Sequence, residues 1–460
     1  MTQIDATGFK LKLREKIGYA LGDTAANIAW RTLTTFLLVF YTDVFGISAA
    51  AAGLLLLITR LSDGVTDVIM GMIADRTETR YGKFRPWILW TAIPFGVIMA
   101  LTFTTPDLSV TGKLIYAYIT YILLTLIYTA NNVPYSALMG VMTPNDVERT
   151  SLSSFRFAGA YFGGIITQGF LIYLVMYLGQ GDENKGYQYA IYLLSAVLSG
   201  FLLITYFSTK ERVKPPKEQS TSIWTDLSDL IRNRPWLILL LIGFLFVIYN
   251  SVKQGITVIY FKRYIGNEAL AASYMVVLLV VSMVAALVTT PLARYFGKKR
   301  LFIYVLLFSG VFNAIIYFAG PTDIAFIYIL GAMSEFGAGI LPVLFFAMLG
   351  DSSDYSEWKC NRRATGLIYS AGTFAMKFGG GVAGAIIGFV LAAYGYDGMD
   401  ESTMAGAMPA IRMLMSWIPA LITLPAVLVL LAYPLSKGKL QTVLMELNAR
   451  RAAAANQTEV

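Results

Sequence analysis

Between residues 60 and 71 the chain reads RLSDGVTDVIMG, placing an arginine and two aspartates in a run that is otherwise apolar as far as Ala74. Asp63 and Asp67 are four residues apart and fall on one helical face, with Arg60 about one turn before Asp63 and the Thr66 hydroxyl close by. An ionisable side chain at bilayer depth costs roughly 2.5–3.5 kcal/mol on insertion scales, so three of them require compensation. Two carboxylates and a hydroxyl are hard oxygen ligands suited to a small cation such as sodium. The structural alternative is an ion pair of Arg60 with Asp63 joining two helices. It accounts for one aspartate and leaves the other in need of a cation or a proton.

Further along, Lys377 lies among Phe374, Met376, Phe378 and glycines. Such surroundings call for an acidic partner or loss of the ammonium proton, and its mid-span placement argues against snorkelling. Asp23, Asn27 and Arg31 recur at four-residue spacing and share one helical face, where Arg31 either meets a solute or bonds a carboxylate such as Asp23. Two charged clusters stand outside the apolar runs: Asp75, Arg76, Arg80 and Lys83, and Asp351, Asp354, Glu357, Arg362 and Arg363. They read as a cytoplasmic gate network or as solvated surface. The chain has no histidine, so coupling chemistry must run on carboxylates, lysine, arginine or neutral oxygens. The lone Cys360 permits no internal disulfide and leaves the redox compartment open.

The elements that must position these groups follow from composition. Of 460 residues 57% are hydrophobic and 14% charged, against about 25% charged in soluble domains. Twelve apolar stretches occur, near 18–46, 48–74, 86–106, 112–142, 151–179, 188–208, 236–261, 268–293, 301–319, 323–349, 365–395 and 408–434. Each approaches or exceeds the ~20 residues that cross a hydrocarbon core. Continuous runs of this kind predict an all-α polytopic membrane protein and argue against an outer-membrane barrel. The first 17 residues are polar and basic and are no signal peptide. Lys and Arg concentrate in alternate loops, which orients both termini to the cytoplasm. The net charge of +8 thus orients the chain and recruits no nucleic acid. Residues 209–235, with paired prolines and mixed charges, read as a cytoplasmic linker with a short surface helix near 223–231. The linker separates six-span bundles at 1–208 and 236–435, followed by a tail at 436–460 that reads as an amphipathic surface helix with a disordered end. RYGKFRPWI before the third span and RYFGKKRLFI before the ninth repeat a basic Gly-Lys turn, as expected of parallel halves in the major facilitator architecture.

The motifs YALGD (19–23), FYTDVFGI (40–47), RLSDGVTDVIMG, DRTETRYGKFRPW (75–87), YTANNVPYSAL (128–138), SSFRFAG (153–159), GDSSDYSEWK (350–359) and LIYSAGTFAMKFGG (367–380) occur in that order. With them the chain resembles the melibiose carrier family, the glycoside–pentoside–hexuronide:cation symporters of the major facilitator superfamily, over nearly its whole length. The resemblance implies two six-helix bundles and cation-coupled sugar uptake by alternating access in the bacterial cytoplasmic membrane. It places cation ligands at Asp63, Asp67, Thr66 and Thr129. Sodium-using members most often carry asparagine where Thr66 stands, so sodium and proton both stay open, and Asp63 and Asp67 are metal ligands only in the sodium case. Lys377 would approach the cation site and, with Arg60, couple it to transport. Sugar contacts fall at Asn27 and Asn132, where melibiose-type carriers have aspartates, at Ser136 in place of a stacking tryptophan, and at Arg156. Asp23, Arg31, Tyr128, Thr373 and Lys377 complete the expected substrate site. Replacing two carboxylates by amides and adding Arg31 makes an acidic sugar admissible beside a neutral pentoside or glycoside. No cofactor and no obligatory protein partner is expected; the partners are the sugar, the cation and the bilayer. A lysolipid carrier of the same fold and a membrane-embedded transferase are the other readings. The polar candidates Arg31, Asn132 and Arg156 argue against the first, and the absence of a histidine, metal cluster or nucleophile motif argues against the second.

Overall fold

The computed structural model describes residues 10–47, 55, 65–213, 228–267, 269–363, 365–395 and 404–456. These residues form α1 (Leu13–Val39), α2 (65–76), α3 (Arg85–Thr102), α4 (Val110–Met142), α5 (Asp146–Ile165), α6 (Leu171–Gly179) and α7 (Glu183–Ser208). They continue with α8 (Arg234–Ile259), α9 (Ala269–Phe296), α10 (Lys298–Ile315), α11 (Ile324–Cys360), α12 (Thr365–Ala393), α13 (Met404–Met415), α14 (Trp417–Leu431) and α15 (Lys437–Asn456). No strand occurs among the described residues. Nine of these helical stretches are long and apolar enough to cross a membrane, and α5 with α6 adds a bent tenth. The first expected span corresponds to α1, whose Arg14, Glu15, Lys16, Asp23 and Arg31 lower its hydropathy. The second is described only at residue 55 and over 65–76.

Four helices start at a side-chain cap. Ser109, Asn145, Asp182 and Asn233 each accept hydrogen bonds from the first-turn amides of α4, α5, α7 and α8. Pro86 and Pro235 occupy early positions of α3 and α8, where a missing N–H costs nothing. Toward the other end of α1, α5 and α8, one turn each of π-helix follows at Phe40–Val44, Ile166–Phe170 and Tyr260–Ile265.

The chain divides into two compact units, Met1–Ile223 with Arg363–Ser370, and Trp224–Arg362 with Ala371–Val460. In the first, α1 lies along α5 and α7, and α3 along α4 and α7. Small residues permit this approach. Thr24 donates to the Gly159 carbonyl at 2.9 Å, and a Cβ on Gly159 or Gly163 would meet the backbone of α1. Thr205 of α7 donates to the Gly18 carbonyl at 2.8 Å. In the second unit α11 packs on α9 and α10, while α14 packs on α8 and α10.

Residues just beyond α7 are tied down rather than free. The Glu211 carboxylate accepts from the Lys83, Phe84 and Arg85 amides at 2.8–2.9 Å and so closes the N-terminus of α3. The Arg212 and Val213 amides donate to the Val141 carbonyl. Of the expected surface helix near 223–231, residues 228–231 are helical and the rest lies outside the described residues.

Candidate functional site

Asp67 on α2 is 1% exposed and Thr129 on α4 is 3% exposed, and the Thr129 hydroxyl donates to Asp67 Oδ1 at 3.1 Å. Thr66 beside it is half-buried. Arg60 and Asp63 lie outside the described residues. A carboxylate this deep needs a positive counterpart, and the oxygens gathered at it are the donors a hard cation takes.

A second polar centre in the same unit joins α1, α4 and α5. Arg156 Nε meets Asp23 Oδ2 at 3.3 Å, and its Nη2 donates to Ser136 Oγ at 2.9 Å. Its guanidinium lies 5.1 Å from the Tyr135 ring centre and 5.5 Å from that of Phe157. Tyr19 and Tyr135 stack at 4.6 Å, and each hydroxyl donates to the other residue's carbonyl. Both tyrosines are fully buried and wall this centre. Asn27 donates to the Asp23 carbonyl at 3.0 Å, within its own helix. Asn132 donates to the Tyr128 hydroxyl at 3.2 Å, and its Oδ1 has no hydrogen-bond partner among the described residues. The Tyr128 ring lies 5.4 Å from Trp30 and 6.0 Å from Phe95. Of the two readings of Arg31, the bond to Asp23 is not the one found: the ion-pair partner of Asp23 among the described residues is Arg156, on α5. Thr373 and Lys377 are half-buried on α12, in the second unit.

The family described as MFS/sugar transport protein matches residues 18–437. The chain belongs to that family. Relatives of this family member include the inner membrane symporter YicJ of Escherichia coli (strain K12), 35% identical over 442 residues and 95% of each chain. The isoprimeverose transporter of Lactiplantibacillus pentosus is 35% identical over 409 residues, covering 88% of this chain and 85% of that protein. Among solved structures, the E. coli fucose:proton symporter FucP, a Major Facilitator Superfamily transporter, matches with a TM-score of 0.68 at 16% identity, over 92% of this chain and 98% of that one. That likeness shows the major facilitator fold. The protein is a multi-pass membrane transporter, and the transferase reading falls away.

In the second charged cluster of this transporter the three carboxylates are buried, and the solvated-surface reading fails for them. Asp351, Asp354 and Glu357 are at most 5% exposed. Asp351 takes Lys298 Nζ at 2.7 and 2.9 Å. Arg451, from α15, reaches Glu357 at 2.6 Å and Asp354 at 3.5 Å. The 37 residues of α11 span roughly 55 Å at 1.5 Å per residue, beyond the ~30 Å hydrocarbon core, so this end of the helix stands in the headgroup region or past it. The tail is docked: Trp358 Nε1 donates to Glu446 at 2.6 Å, and Arg450 to the Trp358 carbonyl at 3.0 Å. In the first unit Asp75 accepts from the Gly366 and Leu367 amides at 2.9 Å, and Arg363 donates to the Gly140 carbonyl at 2.8 Å. Lys83 reaches the Asp75 carbonyl at 2.8 Å. Arg76 donates to the Met72 carbonyl in its own turn, and Arg80 lies over the Tyr81 ring.

One pair was missed from the sequence. Lys253 of α8, 1% exposed, meets Glu335 of α11 at 2.8 Å, and Ser282 of α9 donates to the other Glu335 oxygen at 2.6 Å. Alongside, the Tyr249 hydroxyl and Ser334 are 2.8 Å apart. The available signal was that two opposite charges stood unassigned inside the seventh and tenth apolar runs.

Proposed function

We propose that the protein imports a sugar or glycoside together with a cation, sodium or proton, by alternating access across the bacterial cytoplasmic membrane, with both termini inside. The observation that carries this reading is the buried Asp67 carboxylate bonded to Thr129, in the same helical unit as the Asp23–Arg156–Ser136 centre. Asp67, Thr129 and the Thr66 oxygen take the cation, with Asp63 one turn earlier by sequence spacing. Lys377 and Arg60 respond to its charge.

Arg156, Ser136, Asn27 and Asn132 offer the donors and acceptors that sugar hydroxyls require. Tyr128, Trp30 and Phe95 form an aromatic wall close by. Because Asp23 offsets the charge of Arg156, this centre carries no net charge and favours a neutral pentoside or glycoside over a uronide. An inner membrane symporter and an isoprimeverose transporter among the relatives support the same class. Asp351, Asp354, Glu357, Asp75, Arg76, Arg80, Lys83 and Arg363 are the gate groups of this scheme.

The decisive test is uptake into vesicles of a neutral glycoside, a pentoside and a uronide, with and without sodium at two pH values. In Asp67→Asn, nearly isosteric with the parent, cation-driven accumulation is lost, while sugar binding survives without its enhancement by the cation. Asp63→Asn is expected to lose accumulation too. Accumulation against a gradient in both single variants refutes the cation site, and faster uptake of the uronide refutes the neutral-sugar preference.

A further inference from the structure

A groove of about 460 Å³ runs between the start of α1 and the end of α7. Its walls are Leu13, Ile17, Leu21, Ile204 and Phe207, with Arg14 at its edge. Leu13, Ile17, Ile204 and Phe207 are 47–71% exposed, so the groove opens outward from the bundle. It persists because the two helices approach closely only at their small residues, where a Cβ on Gly18 would collide with Ser208.

The charge at its mouth is one-sided. The acidic side chains nearby are already committed. Glu15 binds Arg212 and the Lys12 amide, and Glu148 binds Lys16 at 2.9 Å and the Leu11 amide at 3.0 Å. Lys10, Lys12, Arg14 and Lys210 are exposed and have no acidic side chain within ion-pair distance among the described residues. Of these, Arg14 lines the apolar trough itself, as an exposed cation with no acidic partner among the described residues.

We propose that this groove is a binding site for an anionic phospholipid, one acyl chain lying along Ile17, Leu21, Ile204 and Phe207 and the phosphate meeting Arg14. Chain and headgroup are both needed. A zwitterionic lipid gains the apolar contact but not the charge, and a soluble phosphate the reverse. A single lysine or arginine near an anionic surface shifts binding about fivefold, which sets the scale of the expected preference.

The test is native mass spectrometry of the purified full chain in detergent micelles containing phosphatidylglycerol or phosphatidylcholine of identical chains. The parent retains phosphatidylglycerol at least about fivefold better than phosphatidylcholine. Arg14→Gln brings the two together, and Phe207→Ala lowers retention of both. Uptake by both variants serves as the check on folding. Glycerol phosphate fails to displace the lipid. Equal retention of the two lipids by the parent, an unchanged preference in Arg14→Gln, or full displacement by glycerol phosphate overturns the proposal. A dimer that disappears in Phe207→Ala also overturns it, assigning the groove to a second copy of the chain.

Discussion

Removing one member of the Lys253–Glu335 pair tests whether charge inside the second unit is held by mutual neutralisation. Glu335→Gln keeps the shape of the side chain and the acceptor for Ser282, but leaves the Lys253 ammonium, 1% exposed, facing an amide. Breaking a buried pair in this way costs about 3–5 kcal/mol, because the remaining charge is neither solvated nor compensated. Lys253→Met strands the carboxylate and costs about the same. The double variant Lys253→Met/Glu335→Gln has no stranded charge and regains most of the loss, since neutral replacement of a buried pair is often neutral or stabilising. At roughly 2–4 °C per kcal/mol for units of this size, each single variant melts roughly 6–20 °C below the parent. The double variant melts within a few degrees of it. Thermal melting of detergent-purified protein reads all four members of the cycle. Single variants that melt with the parent, or a double variant no better than the worse single, would refute the argument.

Arg156→Lys keeps the charge but loses the fork that joins Asp23 to Ser136. At about 1.5–3 kcal/mol for a charged hydrogen bond, sugar affinity falls about ten- to hundredfold in a direct binding assay, with cation affinity in the absence of sugar unchanged. Glu211→Ala uncaps α3 and lowers stability by about 1–2 kcal/mol, whereas Glu211→Gln loses less because its amide oxygen still accepts; comparative melting separates the two. A reporter fused after Val460 and active only in the cytoplasm is expected, and activity confined to the periplasm would reverse the assigned orientation.

The spans were legible because hydropathy averages over ~20 residues and tolerates an occasional charge. That tolerance also hid Lys253 and Glu335: each looked like a blemish in an apolar run, and only three-dimensional proximity across 82 residues of chain makes them a pair. The partner of Asp23 was out of reach for a related reason. Helical spacing offered Arg31 on the same face, while the partner, Arg156, stands 133 residues away on another helix. Asp67 stood out by its spacing and Thr129, Arg156 and Ser136 by the motif order, but the bonds of Asp67 to Thr129 and of Arg156 to Ser136 appear only in the distances. Arg451 escaped because an amphipathic tail gives no hint of what its polar face will meet; the buried carboxylates of Asp354 and Glu357 supply that contact. The clustered charged residues of the first unit bond mostly to backbone carbonyls and amides, which no side-chain pattern could show.

The inclusion of Arg363–Ser370 in the first unit constrains when that unit can finish folding. Chains generally fold domain by domain as they emerge. Here Asp75 waits for the amides of Gly366 and Leu367, and the Gly140 carbonyl waits for Arg363. The first unit is therefore left unfinished until the chain has been made as far as Ser370. A half-length fragment ending at the linker would lack its last fastenings however well its own helices insert, and cutting the gene at its middle would not cut the protein at its joint.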